Sequence, residues 1–239
     1  MRATAVFVAA WYLIFALPLM IFTPDVPSSG KTRERSIRDG LTKLRQTFQM
    51  IRRQGPIVRF LIAHMIYIDG LATLFAFGGI YAAGTFGMSG EMVLVFGIAL
   101  NVAAGIGAAA FAWVDDWIGS RATIILSLIG LVVPGVVILL VDSQILFWSF
   151  ALLLGVFVGP VQAAARSLLT HLAPQDQQNQ MFGFFALSGK ATAFIGPLLV
   201  GWITYWTHSQ RAGMAVIVIF FAIGFLIMLT VPRNTAGPK

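Results

Sequence analysis

The chain contains no cysteine, which excludes disulfides, thiol nucleophiles and cysteine-ligated metals. Histidine is scarce as well. His64, His171 and His208 lie far apart, and none has a carboxylate at metal-ligand spacing, so no metal site is expected. Charged residues make up only 10% of the 239 positions, against about 25% in a soluble domain. That deficit, with 58% hydrophobic residues, marks an integral membrane protein. The hydrolase signatures Gly-x-Ser-x-Gly and His-Glu-x-x-His are missing and no nucleophile–base dyad stands out, so no enzyme and no cofactor is expected. No apolar run alternates with period two, which argues against a β-barrel.

What is present is a series of seven long apolar runs, read as an all-α polytopic membrane protein. They cover residues 5–22 and roughly 57–84, 91–114, 122–141, 145–170, 181–206 and 212–231. Each is long enough for a helix to cross a hydrocarbon core about 30 Å thick. The first run follows Met1-Arg2 and has the outline of a signal peptide. It lacks a small-x-small cleavage site and is followed by a basic segment, so a retained span is expected.

Residues 23–56 are the long polar stretch. Pro24, Pro27 and Ser28-Ser29-Gly30 punctuate its start, and eight basic residues outnumber three acids. Ile37, Leu41, Leu44, Phe48 and Ile51 recur at steps of 4, 3, 4 and 3, which predicts an amphipathic helix lying on an anionic membrane surface. The net charge of +7 would suggest nucleic acid in a soluble protein. Its distribution gives another reason. With 23–56 in the cytoplasm, inside segments hold 11 basic residues and outside segments two, so the N-terminus is expected outside and the C-terminus inside. The basic balance then requires no nucleic-acid partner. A bacterial inner membrane is the expected location.

Small residues at helix-contact spacing include Gly97, Asn101 and Gly105 in one run and Gly155 and Gly159 in another, which predicts close helix packing. Pro134, Pro160 and Pro197 sit inside runs and predict bends.

Two motifs are more specific than hydropathy. Gly107, seven residues, then Asp115-Asp116-Trp117-Ile118-Gly119-Ser120-Arg121 follows the third run. It resembles the signature loop of the major facilitator superfamily. On that likeness Asp115, Asp116, Gly119 and Arg121 belong to an inner gate, with a carboxylate paired to the arginine across a tight glycine turn. Gly159-Pro160-Val161-Gln162 with Arg166-Ser167, then Phe182-Gly183, Ser188-Gly189-Lys190-Ala191-Thr192 and Gly196-Pro197, form the second motif. They look like the C-terminal half of the vacuolar-effluxer-like branch, related to the autophagy amino-acid effluxer of fungal vacuoles and to bacterial permeases. Tyr67-x-Asp69-Gly70-x-x-Thr73 and Ser209-Gln210-Arg211 fit that branch too. The branch has about twelve spans in two halves. The likeness therefore implies that residues 5–22 are the last span of a first half, 23–56 the central cytoplasmic linker and 57–232 a six-helix second half. A separate N-terminal half or partner chain would then complete the protein, because solute sites in such folds lie between halves near the midplane.

Ionisable groups at bilayer depth usually serve a pathway. At about 1.5 Å per residue, Lys190 lies roughly 14 Å, Asp69 roughly 18 Å and Asn101 roughly 14 Å into a core about 30 Å thick. These three and Gln162 are the candidates for contacting solute or coupling protons. Asp69 either carries a proton or is neutralised by Lys190 or backbone, while Lys190 either meets an anionic group or forms a fixed pair. Asn101 and Gln162 are also readable as interhelical hydrogen-bonding residues. Arg166, about 6 Å deep, is expected at a gate or interface. The expected function is transport of a small solute by alternating access, as part of a secondary transporter, with amino-acid efflux as one form. A truncated or non-transporting membrane interaction subunit is the alternative. A seven-helix retinal protein or receptor shares the topology but would need its lysine in the seventh span.

Overall fold

The computed structural model describes residues 2–23, 42, 49, 54–174 and 177–233. The amphipathic helix expected over 37–51 lies outside the described residues, apart from two single positions. Every described element is α-helical, and seven helical segments are long and apolar enough to cross a membrane. In a bilayer, backbone polar groups must be satisfied within the segment itself, and the helix does this for an apolar run.

The chain divides into two units, residues 1–44 and 45–239. The first contains α1 (Arg2–Phe22), whose Phe7, Trp11 and Phe15 rings follow one another along one face at 5.9 and 4.7 Å. From Ala5 onward its side chains are unburied within that unit.

The second unit holds α2 (Gly55–Phe86), α3 (Gly90–Ile118), α4 (Ser120–Leu140), α5 (Gln144–Leu172), α6 (Gln178–Ala191), α7 (Ile195–Thr207) and α8 (Gln210–Leu229). The spans and their number match the sequence reading, with two corrections. The run over 91–114 continues as helix to Ile118, so Asp115 and Asp116 sit on the last turn of α3 and the connection to α4 is Gly119 alone. Gly119 has φ 84° and ψ 152°, a backbone region open essentially to glycine. The expected tight turn is thus present, one residue long. The second correction is that the sixth span is broken between α6 and α7.

At other ends the local chemistry is ordinary capping. Gly87, at φ 65°, closes α2, and Ser89 accepts the Met92 N–H of α3 at 3.3 Å.

The pairs α3–α5, α4–α5 and α2–α8 pack most extensively. The α3–α5 seam is very close: a Cβ on Gly107 would lie 1.8 Å from the Val156 carbonyl oxygen, and one on Gly159 would lie 2.2 Å from that of Ala104. Gly155 and Gly159 therefore do pack as expected. Gly97 and Gly105 do not, since a Cβ on either meets nothing within 4 Å; Gly97 borders a cavity and Gly105 is exposed. Gly107, outside that register, is the residue α3 uses.

Helices α4 and α8 run antiparallel and clasp each other by their ends. Arg121 at the start of α4 donates from Nε to the Val231 carbonyl (2.5 Å) and from Nη2 to that of Leu229 (2.9 Å), at the end of α8. Arg211 at the start of α8 donates to the Val141 carbonyl at the end of α4 (3.0 Å) and pairs with Asp142. Each arginine places positive charge on the carbonyl end of the other helix, a placement worth about 0.3–1 kcal/mol when exposed and up to about 2 when partly buried.

Candidate functional site

Pro197 explains the break in the sixth span. In a continuous helix its ring would clash with the carbonyl four residues earlier, at Ala193. The chain instead tightens through 192–194: Ala193 N–H donates to the Lys190 carbonyl (3.3 Å) and Ile195 N–H to that of Thr192 (2.8 Å). Ile195 thereby takes the acceptor that Gly196 would use in an α-helix. The Gly196 N–H donates to Asp69 Oδ2 at 3.1 Å. A buried carboxylate on α2, 2% exposed, thus caps the N-terminal end of half-helix α7.

The fit around this cap leaves no room for a side chain. A Cβ on Gly196 would lie 2.1 Å from Thr73 Oγ1 and 3.1 Å from Asp69 Oδ1. Thr73, fully buried, donates its hydroxyl to the Asp69 carbonyl (2.7 Å) and so keeps its own polar group satisfied against α7. Asp69 Oδ1 and the Thr192 hydroxyl are buried without a hydrogen-bond partner among the described residues. The arrangement therefore retains one open carboxylate acceptor and one open hydroxyl at a helix break.

About one and a half turns earlier, α2 contacts α6. His64, nearly buried, stacks on Phe185 with centroids 3.9 Å apart, and its Nδ1 lies 3.3 Å from Ser188 Oγ. Ser188 donates to the Phe185 carbonyl at 2.8 Å. Gly189 lets α6 approach, since a Cβ there would meet His64 at 3.4 Å and Ile68 at 3.6 Å. His64 and Ile68 thus contact α6, and Asp69 and Thr73, on another side of the same helix at about 100° per residue, contact α7, so α2 touches both halves of the broken span.

The other sequence candidates are more dispersed. Lys190 ends α6 and is exposed, and among the described residues no ion pair joins it to Asp69. The partner of Asp69 is backbone, which is one of the two neutralisations the sequence left open. Asn101 donates to the Gly97 carbonyl (2.8 Å) and Gln162 to that of Val158 (3.3 Å), each on its own helix. Among the described residues neither makes the interhelical bond expected of such residues. Asn101 does border a cavity of about 240 Å³ between α2, α3 and α5, lined otherwise by apolar groups such as Phe75, Phe96, Leu100 and Phe147. Arg166 is exposed near the end of α5.

At the α3–α4 turn the expected carboxylate–arginine pair does not form among the described residues. Asp115 Oδ2 accepts from Ser120 Oγ (3.2 Å), and Ser120 Oγ lies 2.8 Å from Ser167 Oγ on α5. Asp116 is exposed, and Arg121 is committed to α8. The signature residues therefore tie α3, α4, α5 and the end of α8 together through a carboxylate, hydroxyls and backbone carbonyls.

The sequence alone marks Thr73, Ser188 and Gly196 only as members of the effluxer-like motifs, and His64 only as an isolated histidine. The signal for Gly196 was Pro197 within a long apolar run. Acceptance of its N–H by a side chain 127 positions earlier has no signal in a single sequence.

The family model described as "vacuole effluxer Atg22 like" matches residues 1–238. The MFS-type transporter YxiO of Bacillus subtilis is 25% identical over 228 residues, covering 95% of this chain and 53% of the relative. Autophagy-related protein 22 of Kluyveromyces lactis is 22% identical, over 93% of the chain and 49% of the relative. That of Yarrowia lipolytica is 25% identical, over 98% and 45%. The chain spans about half the length of the curated relatives it matches.

Proposed function

The chain belongs to the vacuole effluxer Atg22-like family, a family of membrane transporters, and on that premise we propose that it moves a small solute by alternating access as part of a secondary transporter. Amino acids are the solute class. The observation that carries the reading is the junction of α2 with the broken sixth span. A membrane-embedded carboxylate holds the positive end of a half-helix and keeps one oxygen unpartnered. Broken helices with ends aimed at polar groups recur at transporter binding sites. Asp69 is the proton- or solute-responsive group in this proposal. Lys190, at the end of α6 beside the break, meets the anionic part of the solute, and Asn101 and Gln162 line the path. Asp115, Asp116, Gly119, Arg121 and Arg166 form the gate at the opposite ends of the helices.

Residues 57–232 act as one half of the transporter in this reading, with 5–22 as a span of the other half and 23–56 as the linker. Further spans, in the same or a separate chain, form the facing wall. The linker and the C-terminus face the cytoplasm of a bacterial cell, as the 11-to-2 distribution of basic residues supports.

Counterflow of labelled amino acids into proteoliposomes tests this, using the protein as its gene encodes it. Asp69→Asn and Lys190→Ala are expected to reduce counterflow at least tenfold. Unchanged counterflow in both variants removes the site assignment, and no counterflow of any amino acid by the wild type removes the solute class.

A further inference from the structure

Three guanidinium groups converge where α2 and α4 begin and α8 ends. Arg59 donates from Nη1 to the Thr230 carbonyl at 2.9 Å. Arg121 holds the carbonyls of Leu229 and Val231. Arg233 follows two residues after Val231, whose carbonyl Arg121 holds, and is exposed. Helix capping explains the first two only in part. One cation is enough to complement a helix C-terminus, and Arg233 makes no hydrogen bond to protein among the described residues. Each guanidinium has five N–H donors, of which these carbonyls take one from Arg59 and two from Arg121.

No carboxylate answers this charge among the described residues. Asp69 is at Gly196, Asp115 at Ser120, and Asp142 with Arg211 at the far end of α4 and α8. Glu91 is at the start of α3, and Asp116 forms no ion pair with the three arginines. Arg59 is the fifth residue of α2 and Arg121 the second of α4, and Arg233 lies beyond the end of α8. All three therefore belong to the headgroup layer, where the abundant anion is phosphate. Guanidinium matches phosphate oxygens in bidentate geometry. The carbonyl bonds of Arg59 and Arg121 fix their side chains before any ligand arrives, which reduces the entropy lost on binding.

We propose that Arg59, Arg121 and Arg233 form a binding site for the phosphodiester headgroup of an anionic membrane lipid. The lipid lies at the junction of α2, α4 and α8. A bound headgroup would bridge the two helices that start there to the one that ends there. The proposal does not depend on transport activity.

The test titrates the detergent-purified protein with dioctanoyl phosphatidylglycerol, dioctanoyl phosphatidylcholine or inorganic phosphate. Retained lipid is counted by native mass spectrometry and protection read from the thermal midpoint. Phosphatidylglycerol is expected to be retained and to protect, and the other two probes are not. A charge near the surface contributes about 1 kcal/mol per arginine, so Arg233→Gln should weaken phosphatidylglycerol about fivefold and Arg59→Gln/Arg233→Gln about 30-fold. Arg233→Lys should recover most of the loss. Arg233 carries no helix cap, so its variants read binding separately from folding. Equal retention of both lipids, or unchanged phosphatidylglycerol binding in Arg233→Gln, overturns the site. Equal protection by inorganic phosphate overturns the lipid assignment in favour of a soluble anion.

Discussion

Removing the carboxylate of Asp69 should release the half-helix it holds. In Asp69→Ala the Gly196 N–H loses its acceptor at a position too buried for water to replace it, and a buried unsatisfied donor costs about 1–3 kcal/mol. The interaction of negative charge with the first turn of α7 adds about 0.3–1 kcal/mol, up to about 2 when partly buried. The sum is a loss of about 1–5 kcal/mol. Asp69→Asn keeps an oxygen acceptor in place and forfeits only the charge, so about 1 kcal/mol is expected. For a chain of this size 1 kcal/mol corresponds to about 2–4 °C in Tm. Thermal unfolding in micelles, followed by tryptophan fluorescence, should therefore separate the two variants by several degrees. Hydrogen exchange supplies the local readout. The Gly196 amide should be protected in the wild type and in Asp69→Asn and exposed in Asp69→Ala. If alanine and asparagine lower Tm equally, or the Gly196 amide exchanges at one rate in all three proteins, the cap is not what holds α7.

Gly107→Ala places a methyl group against the backbone carbonyl of Val156 and should lower stability by at least 1–3 kcal/mol by forcing α3 from α5. Gly105→Ala, two residues away on the open face, should be neutral or gain up to about 1 kcal/mol from helix propensity. Equal Tm values for the two variants would contradict the α3–α5 packing. Arg121→Ala and Arg211→Ala should each lower Tm through loss of the clasp. Because α4 separates them by about 30 Å, their free-energy effects should add within about 0.5 kcal/mol; strong non-additivity in the double variant would refute independent end-caps.

The seven spans were legible because bilayer thickness imposes a length on apolar runs, and that length is written directly in composition. The likeness to a transporter branch was legible in the Asp116–Arg121 and Gly155–Pro197 motifs. What those residues touch was less accessible. Arg121 and Asp69 both bond to backbone groups from distant helices, and backbone acceptors and donors are identical at every position, so only the fold selects them. The likeness to the signature loop implied a carboxylate paired with Arg121, and depth in the membrane left Asp69 with either Lys190 or backbone. Charge complementarity favours side-chain pairs when side chains are all that can be compared. The glycine ridge failed for a related reason. Gly97 and Gly105 share a face, but the choice between that face and the one carrying Gly107 depends on where α5 lies. Residues 24–41, 43–48 and 50–53, with all eight basic residues of the linker, lie outside the described residues and leave the surface-helix expectation where the sequence put it.

The break in the sixth span also bears on the order in which the chain is built. α6 has 14 residues and α7 has 13, so each is about 20 Å long and neither alone crosses the hydrocarbon core. Together they make the least apolar of the seven spans, interrupted by a turn whose amide is satisfied by another helix. Such a segment is a weak substrate for insertion on its own merits. It becomes a stable span beside α2, which leaves the ribosome more than a hundred residues earlier and is already in the bilayer with Asp69 waiting. Synthesis from the N-terminus thus delivers the template before the segment that needs it. Moving α2 to the C-terminal end by circular permutation would leave every contact of the finished bundle intact and still deprive the sixth span of its guide.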